Sequence, residues 1–485
     1  MTENSGSDAA KDTGPKAARV PLIANTGAIA VAGLELQIGA VVPRRRVVAW
    51  ALWDWAGAAF NAVITTFVFT VYVTSGNFVD PAIAAAKTTD SDAYERAIAG
   101  LSGGLGLALG IAGLVVALLA PVLGQRTDSS GRRKLWLGIN TGVVILVTGL
   151  LFFVEASPPF FVYGVILIAI GNVFFEIASV NYNAMLLQVS TPRTIGRVSG
   201  LGWGAGYIGG IVLLLVLYVG FIAGDGPYWF GVTSENGLNI RMVAVFSAVW
   251  TLIFSLPVLL LVPEAVPTAA REKVGFFRSY AVLVHDIRRL YRESRATFYF
   301  LLASAVFRDG LAGVFTFAGV LASGSFGFSP GDVLIFGIAA NVVAGIGTIA
   351  SGFFDDRFGA KPVIIVALSG VLVAGMSIFL AHDGGLTAFW IGGLALCLFV
   401  GPAQSAGRTF LARVAPAGRE GEIFGLYATT GRAVSFLAPM LFSISIAIFG
   451  AQYWGILGIM VVLLAGLLLL LPVKTPARVK EAAAA

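Results

Sequence analysis

The sequence predicts an all-α membrane protein of twelve transmembrane helices arranged as two six-helix, pseudo-symmetric halves. Three observations predict it. The 485-residue chain is 57% hydrophobic and only 12% charged, with a mean hydropathy of +0.88, whereas soluble domains carry about 25% charged residues. Twelve stretches reach the roughly 20 apolar residues that a bilayer crossing needs. The chain also repeats itself. Gly171–Gly210 lies over Gly401–Val434 so that Val189 meets Val414, Gly196 meets Gly421, Gly200 meets Gly425 and Leu201 meets Leu426, a separation of 225 residues, with Asn183 falling on Arg408.

Taken in order, residues 1–46 read as a cytoplasmic tail, small and polar at its start and therefore expected to be disordered. Val20–Val42 holds Asn25, Glu35 and Gln37 and makes a poor span; a helix lying on the membrane surface is the alternative. No basic segment leads directly into an apolar core, so no cleaved signal peptide is expected. Residues 47–264 form the N-terminal half, with spans at Val47–Thr74, Leu101–Leu123, Leu135–Val154, Phe160–Met185, Val198–Ile222 and Met242–Val262. Residues 265–296 are a cytoplasmic central segment in which Ser279–Arg295 reads as an amphipathic helix near anionic lipid. Residues 297–472 form the C-terminal half, with spans at Thr297–Ala322, Val333–Phe354, Val363–Ala381, Ala388–Ala412, Ile423–Phe449 and Trp454–Leu471. Residues 473–485 are a second cytoplasmic tail.

Basic residues orient the chain. Arg126, Arg132, Arg133, Arg193, Arg357 and Arg413 fall in loops on one side, together with the arginines of the central segment, while Lys87, Arg96 and Arg241 are the few on the other. The bias places both termini on the cytoplasmic side, with the plasma (inner) membrane as the expected location. The net charge of +6 is thus a topology signal and nucleic acid is not an expected partner. A single cysteine, Cys397, excludes a disulfide framework and a cysteine-based zinc site. The two histidines, His285 and His382, fall in expected loops, which argues against a histidine-based metal site. No phosphate-binding Gly-Lys-Ser/Thr loop, metal cluster or Ser-His arrangement is found, so no enzyme activity and no cofactor is expected.

Two loops carry a motif. Gly124–Lys134 reads GQRTDSSGRRK and Gly352–Pro362 reads GFFDDRFGAKP; Gly124 pairs with Gly352, Asp128 with Asp356 and Gly131 with Gly359. This resembles the loop signature of the major facilitator superfamily, G-x-x-x-D-R/K-x-G-R-R/K, with Ser129 standing where a basic residue is usual. Each loop is expected to be a tight turn whose carboxylate caps a helix and pairs with basic residues, latching the halves in one state. Three further segments resemble the vacuole-effluxer-like family within that superfamily. These are Trp50–Phe60 (WALWDWAGAAF); Tyr182, Asn183 and the Gly-rich run Gly196–Gly210; and Gln404–Arg432. Gly57 and Gly407 replace the usual Asn and Ser. The resemblance implies a transporter with the major facilitator fold, and fungal vacuolar members are linked to amino-acid efflux.

Ionisable groups inside a bilayer cost several kcal/mol unless paired, which makes them functional candidates. Asp54 lies in the first span, Glu176 in the fourth, Arg308 and Asp309 in the seventh, Arg408 in the tenth and Arg432 in the eleventh. Asp54, Trp55, Asn61, Glu176, Asn183, Arg308, Asp309, Gln404 and Arg408 form the expected substrate or proton pathway. The expected latch or gate holds Gly124, Asp128, Gly131, Arg132, Arg133, Arg197, Gly352, Asp356, Arg357, Gly359, Arg419, Glu422 and Arg432. Arg308 points about 100° away from its neighbour Asp309 on a helix, so its expected partner is Asp54 or Glu176. Gly57 is expected to leave room beside Asp54, and Trp50 to anchor the span at the interface. The resulting function is alternating-access transport of a small polar solute, with proton-coupled export of amino acids or related metabolites as the leading form. The partners are the substrate, a coupling proton or other ion and the lipid bilayer. Efflux of amphipathic compounds is the rival, and a non-transporting receptor or scaffold the distant alternative.

Overall fold

The computed structural model describes residues 42–130, 132–190, 195–224, 226–264, 276–414 and 420–474. Twelve helices in it are long and apolar enough to cross a membrane: Arg44–Val73, Ser91–Leu119, Arg133–Phe153, Phe160–Leu186, Gly204–Ile222, Glu235–Leu261, Arg295–Phe326, Pro330–Asp355, Ala360–Leu380, His382–Leu411, Thr429–Phe449 and Gln452–Leu470. No strand occurs among the described residues. The protein is an integral membrane protein of twelve spans in two six-helix halves. Its two faces differ. The basic face carries Arg44, Arg133, Arg295, Arg357, Lys361 and Lys474 at helix ends, and the far face carries the turns after the odd-numbered spans.

Three helices depart from regularity for identifiable reasons. The second runs Ser91–Ser130, so it starts before the expected Leu101. The Asp90 carboxylate accepts a hydrogen bond from Ala93 N at 3.0 Å, which starts the helix in a polar turn outside the apolar stretch. The first span passes from α-helix (Arg44–Ala58) to a π-helical segment (Ala59–Phe67) and back (Phe69–Val73). The Thr65 and Thr66 hydroxyls both donate to the Asn61 carbonyl, at 2.8 and 2.7 Å. Both hydroxyls bond back to a carbonyl of their own helix, a pattern that bends helices, and π segments recur at functional sites. The eleventh span is broken into Glu420–Ala433 and Leu437–Phe449. Pro439 supplies the cause, because its ring cannot coexist with a helical carbonyl four residues earlier, at Ser435.

The first and seventh spans are the most enclosed. Between the halves, the second span packs on the eleventh, the fifth on the eighth, and the π segment of the first on the seventh. Glycines permit the approach: a Cβ on Gly113 would stand 2.8 Å from Ser435 O, and one on Gly337 3.0 Å from the Phe67 ring. On the far face Gln452 joins the halves. Its Nε2 donates to Ser102 Oγ of the second span at 2.6 Å and to Val320 O at 3.2 Å, while its Oε1 accepts from Ser325 Oγ at 2.6 Å. Ser443 Oγ donates to Gly103 O at 2.8 Å beside it. The far side of the interface is therefore closed. In the central segment a helix, Phe276–Glu293, precedes the seventh span, separated from it by Ser294 alone. It includes His285, which the sequence had suggested lay in a loop.

Candidate functional site

The Gly-rich run of the fifth span is a packing surface for the first. A Cβ on Gly202 would stand 2.8 Å from the Trp50 ring, one on Gly206 3.6 Å from Asp54 Cβ, and one on Gly209 2.9 Å from the Trp55 ring. The bulky Trp50–Trp55 segment fits only because that face lacks side chains. Trp50 is 2% exposed and is no interfacial anchor. Its ring stacks on Tyr182 of the fourth span at 4.4 Å, and Trp53 also stacks on Tyr182 at 4.4 Å. Trp50 Nε1 donates to Tyr182 O at 3.1 Å, and Trp53 Nε1 to Thr141 Oγ1 of the third span at 3.1 Å. Held in this way, the Tyr182 hydroxyl donates to Asp54 Oδ2 at 3.0 Å. Gly57 does not open space beside Asp54: its Cβ position lies 3.2 Å from Phe175, whose ring fills that side. Trp55 turns away, stacking on Trp250 of the sixth span at 5.9 Å.

Glu176 and Arg432 form an ion pair between the fourth and eleventh spans, which belong to different halves. Arg432 Nη2 also donates to Ser179 Oγ at 3.1 Å. Both side chains keep about a quarter of their surface exposed (25% and 24%), so the clasp sits at the edge of accessible space. The expected pairing of Arg308 with Asp54 or Glu176 is not seen. Arg308 Nη1 donates to Tyr427 O at 3.0 Å, and its guanidinium lies 4.0 Å from the centroid of the Tyr427 ring. Glu176 is committed to Arg432 and Asp54 to Tyr182, which leaves Arg308 to the eleventh span beside it.

Asp309 is 7% exposed, and its Oδ2 accepts from Ala438 N at 2.7 Å. That amide is one of the orphan donors created where the eleventh helix restarts at Leu437. Asp309 thus caps a helix break. Arg408 is half-buried, within electrostatic reach of the Tyr207 phenol. Asn61 is exposed on the otherwise enclosed first span. Asn183 is exposed too, and its amide donates to Ser179 O at 2.8 Å within its own helix. Gln404 is half-buried in the tenth span.

The motif loops are less loop than expected. Gly124 to Ser130 continues the second helix, and Gly352 to Phe358 continues the eighth; in the latter the turn narrows to Gly359, whose φ of 85° favours glycine. Gly131 and Arg419 lie outside the described residues, as do the side chains of Asp128, Arg197, Asp356 and Glu422. The carboxylate with a described partner is the neighbouring Asp355, 6% exposed, which accepts from Arg413 Nη1 of the tenth span at 2.6 Å. Arg133 is buried, with Nη1 donating to Ala184 O at 3.3 Å, whereas Arg132 and Arg357 are exposed. Among the described residues no group of His, Cys, Asp and Glu is arranged to hold a metal.

The structure therefore brings Asp54 together with Tyr182, and Glu176 with Arg432, while Arg308, Asp309 and Trp55 are engaged in local packing. Sequence reasoning missed Tyr427, Ser179, Asp355, Ser102 and Gln452. The signal for Gln452 was present, as an amide residue between two apolar spans; for the rest, polar residues at helical spacing give no sign of which helix they will meet.

The sequence profile of the family described as vacuole effluxer Atg22 like matches residues 187–483. The chain is 25% identical over 422 residues to an uncharacterized MFS-type transporter, YxiO, of Bacillus subtilis, covering 87% of this chain and 93% of that protein. It is 28% identical over 280 residues to autophagy-related protein 22-1 of Aspergillus fumigatus, covering 53% of this chain and 44% of that protein. Its fold is similar to the inward-open xylose transporter XylE from E. coli, with a TM-score of 0.59 and 16% identity over 90% of this chain and 96% of that one. The nucleoside transporter NupG is similar too, with a TM-score of 0.56 and 14% identity over 88% and 98%.

Proposed function

The chain belongs to the vacuole effluxer Atg22-like family of secondary transporters, and from that premise we propose that it exports amino acids or related zwitterionic metabolites by proton-coupled alternating access. The observation that carries the reading is the placement of charge on the two halves. Asp54 and Asn61 stand on the first span, in the N-terminal half, and Arg408 on the tenth, in the C-terminal half. A zwitterion presents an ammonium group to the first side and a carboxylate to the second, and each group suits its partner. The Glu176–Arg432 clasp would open when the halves part on the basic face, and an acid that loses its arginine there becomes a proton acceptor. The basic face is cytoplasmic in this reading, and the membrane is the plasma (inner) membrane.

Efflux of amphipathic compounds is the second reading. An apolar cavity in the C-terminal half, lined by Phe315, Phe336, Phe389, Cys397, Ile459 and Met460, favours it. Transport of labelled amino acids into proteoliposomes, with and without an imposed proton gradient, tests the first reading. Wild type should accumulate substrate only with the gradient. Asp54→Asn should lose accumulation while keeping exchange between two equal pools. Accumulation at the wild-type rate by Asp54→Asn and by Glu176→Gln would refute proton coupling through these acids.

A further inference from the structure

The helix Phe276–Glu293 presents an exposed basic face beside the start of the seventh span. Leu290 is 1% exposed and fixes one side of the helix against the bundle, where it meets the second and seventh spans. Val284, His285, Arg288, Tyr291 and Arg292 are exposed at helical spacing on another. Arg295, one residue beyond Ser294, continues that face: its guanidinium lies 5.4 Å from the centroid of the Tyr291 ring. Arg289 is held by Glu293 within the helix. Among the described residues no carboxylate comes into ion-pair range of Arg288, Arg292 or Arg295. Three cations are thus spread over a surface that also carries a tyrosine and a valine.

The position of this surface selects its partner. One residue separates the helix from the seventh span. Tyr291 packs edge-on against Phe298 at 5.1 Å and Tyr299 at 6.3 Å, in the first turn of that span. The Thr297 hydroxyl ties the same turn to Val414 O at 2.7 Å. The helix is therefore anchored where a spanning helix leaves the hydrocarbon. An amphipathic face of Arg, Tyr and Val at that level matches headgroups above and acyl chains below. We propose that Arg288, Arg292 and Arg295 dock on anionic phospholipid headgroups of the leaflet at the basic face. The lipid would then hold the segment that joins the two halves, and leaflet composition would set its order.

Hydrogen exchange on the full chain in nanodiscs tests this. One set of discs holds phosphatidylcholine alone, and the other phosphatidylcholine with phosphatidylglycerol. Peptides spanning Phe276–Glu293 should exchange about tenfold more slowly in the anionic discs, given the strength of attraction per basic residue near such a surface. High salt should remove the difference. The triple variant R288Q/R292Q/R295Q should lose it, and R288K/R292K/R295K should keep most of it. Equal exchange in both discs overturns the proposal, as does a difference that survives in the glutamine variant. Protection that appears in phosphatidylcholine alone and rises with the number of copies per disc would instead assign the face to a second copy of the chain. Peptides of the transmembrane helices provide the folding control, and their exchange should match wild type in each variant.

Discussion

Gln452→Leu should loosen the far side of the molecule. Gln452 is 4% exposed and its bond to Ser102 Oγ, at 2.6 Å, crosses from one half to the other. Its other two bonds, to Val320 and Ser325, stay within the C-terminal half and persist whichever way the halves tilt. Of the three Gln452 bonds, the one to Ser102 is the one that differs between the closed and the open far side. One net hydrogen bond stabilises by about 1 kcal/mol, which corresponds to roughly a fivefold change in the ratio of closed to open molecules. Ser102 keeps its own bond to Ile98 O at 3.0 Å, and the half-buried Ser325 hydroxyl loses its acceptor in both conformations alike, so its loss does not shift the ratio. The assay is pulsed electron-spin distance measurement in a Cys397→Ala background. The labels replace Glu95 and Asp383, both exposed at the far face. The longer-distance population should rise about fivefold relative to the shorter. Ser102→Ala should do the same, and the double variant should add little, because both remove one interaction. An unchanged distance distribution in Gln452→Leu would show that the bond does not discriminate between conformations.

Two other expectations rest on single contacts. Asp309→Ala strands the Ala438 amide and should destabilise the protein by about 1 kcal/mol, measured as a lower unfolding temperature in detergent; Asp309→Asn retains an acceptor and should restore most of the loss, whereas equal loss in both would indicate that the charge itself is needed. Arg432→Ala leaves Glu176 without its cation and should cost about 2 kcal/mol, reduced from the fully buried case because both groups are partly exposed; the double variant with Glu176→Gln should recover stability without recovering transport, and a thermal shift as large as that of the single variant would argue against the pair.

The fold was largely legible because a membrane span is a one-dimensional signal. A run of about 20 apolar residues states its own length and ends, and the twelve helices fall close to the expected positions. The repeat between Gly171–Gly210 and Gly401–Val434 then divided the chain. Irregularities were less visible. Nothing in Ala59–Phe67 forces a π turn by composition; the Thr65 and Thr66 hydroxyls reveal it only once the Asn61 carbonyl is seen between them. The eleventh span was expected to run unbroken over Ile423–Phe449, and neither its break before Pro439 nor the capping of that break by Asp309, 129 residues earlier, was foreseen.

Partner choice was the limit at the site. The sequence identified the embedded charges, yet charge alone favours the nearest opposite charge, whereas the folded helices set distance by rotation and tilt. Arg308 illustrates this. Its sequence neighbour is an acid, and two more acids lie on spans expected to face it. The close approach at Gly431, whose Cβ position is 3.0 Å from Arg308 Nη1, instead brings the eleventh span against the guanidinium and lays it over Tyr427. A side chain at that position would push the arginine away. Arg432, next in sequence, then points across the interface to Glu176. One glycine thus separates the roles of two arginines: Arg308 stays with its own half, and Arg432 clasps the other. The clasp must yield when the halves part on the basic face, while the Arg308–Tyr427 contact can move as a unit with the C-terminal half. The proton coupling proposed above is therefore better tested at Glu176 than at Asp309, whose carboxylate is fixed to a backbone amide of its own half.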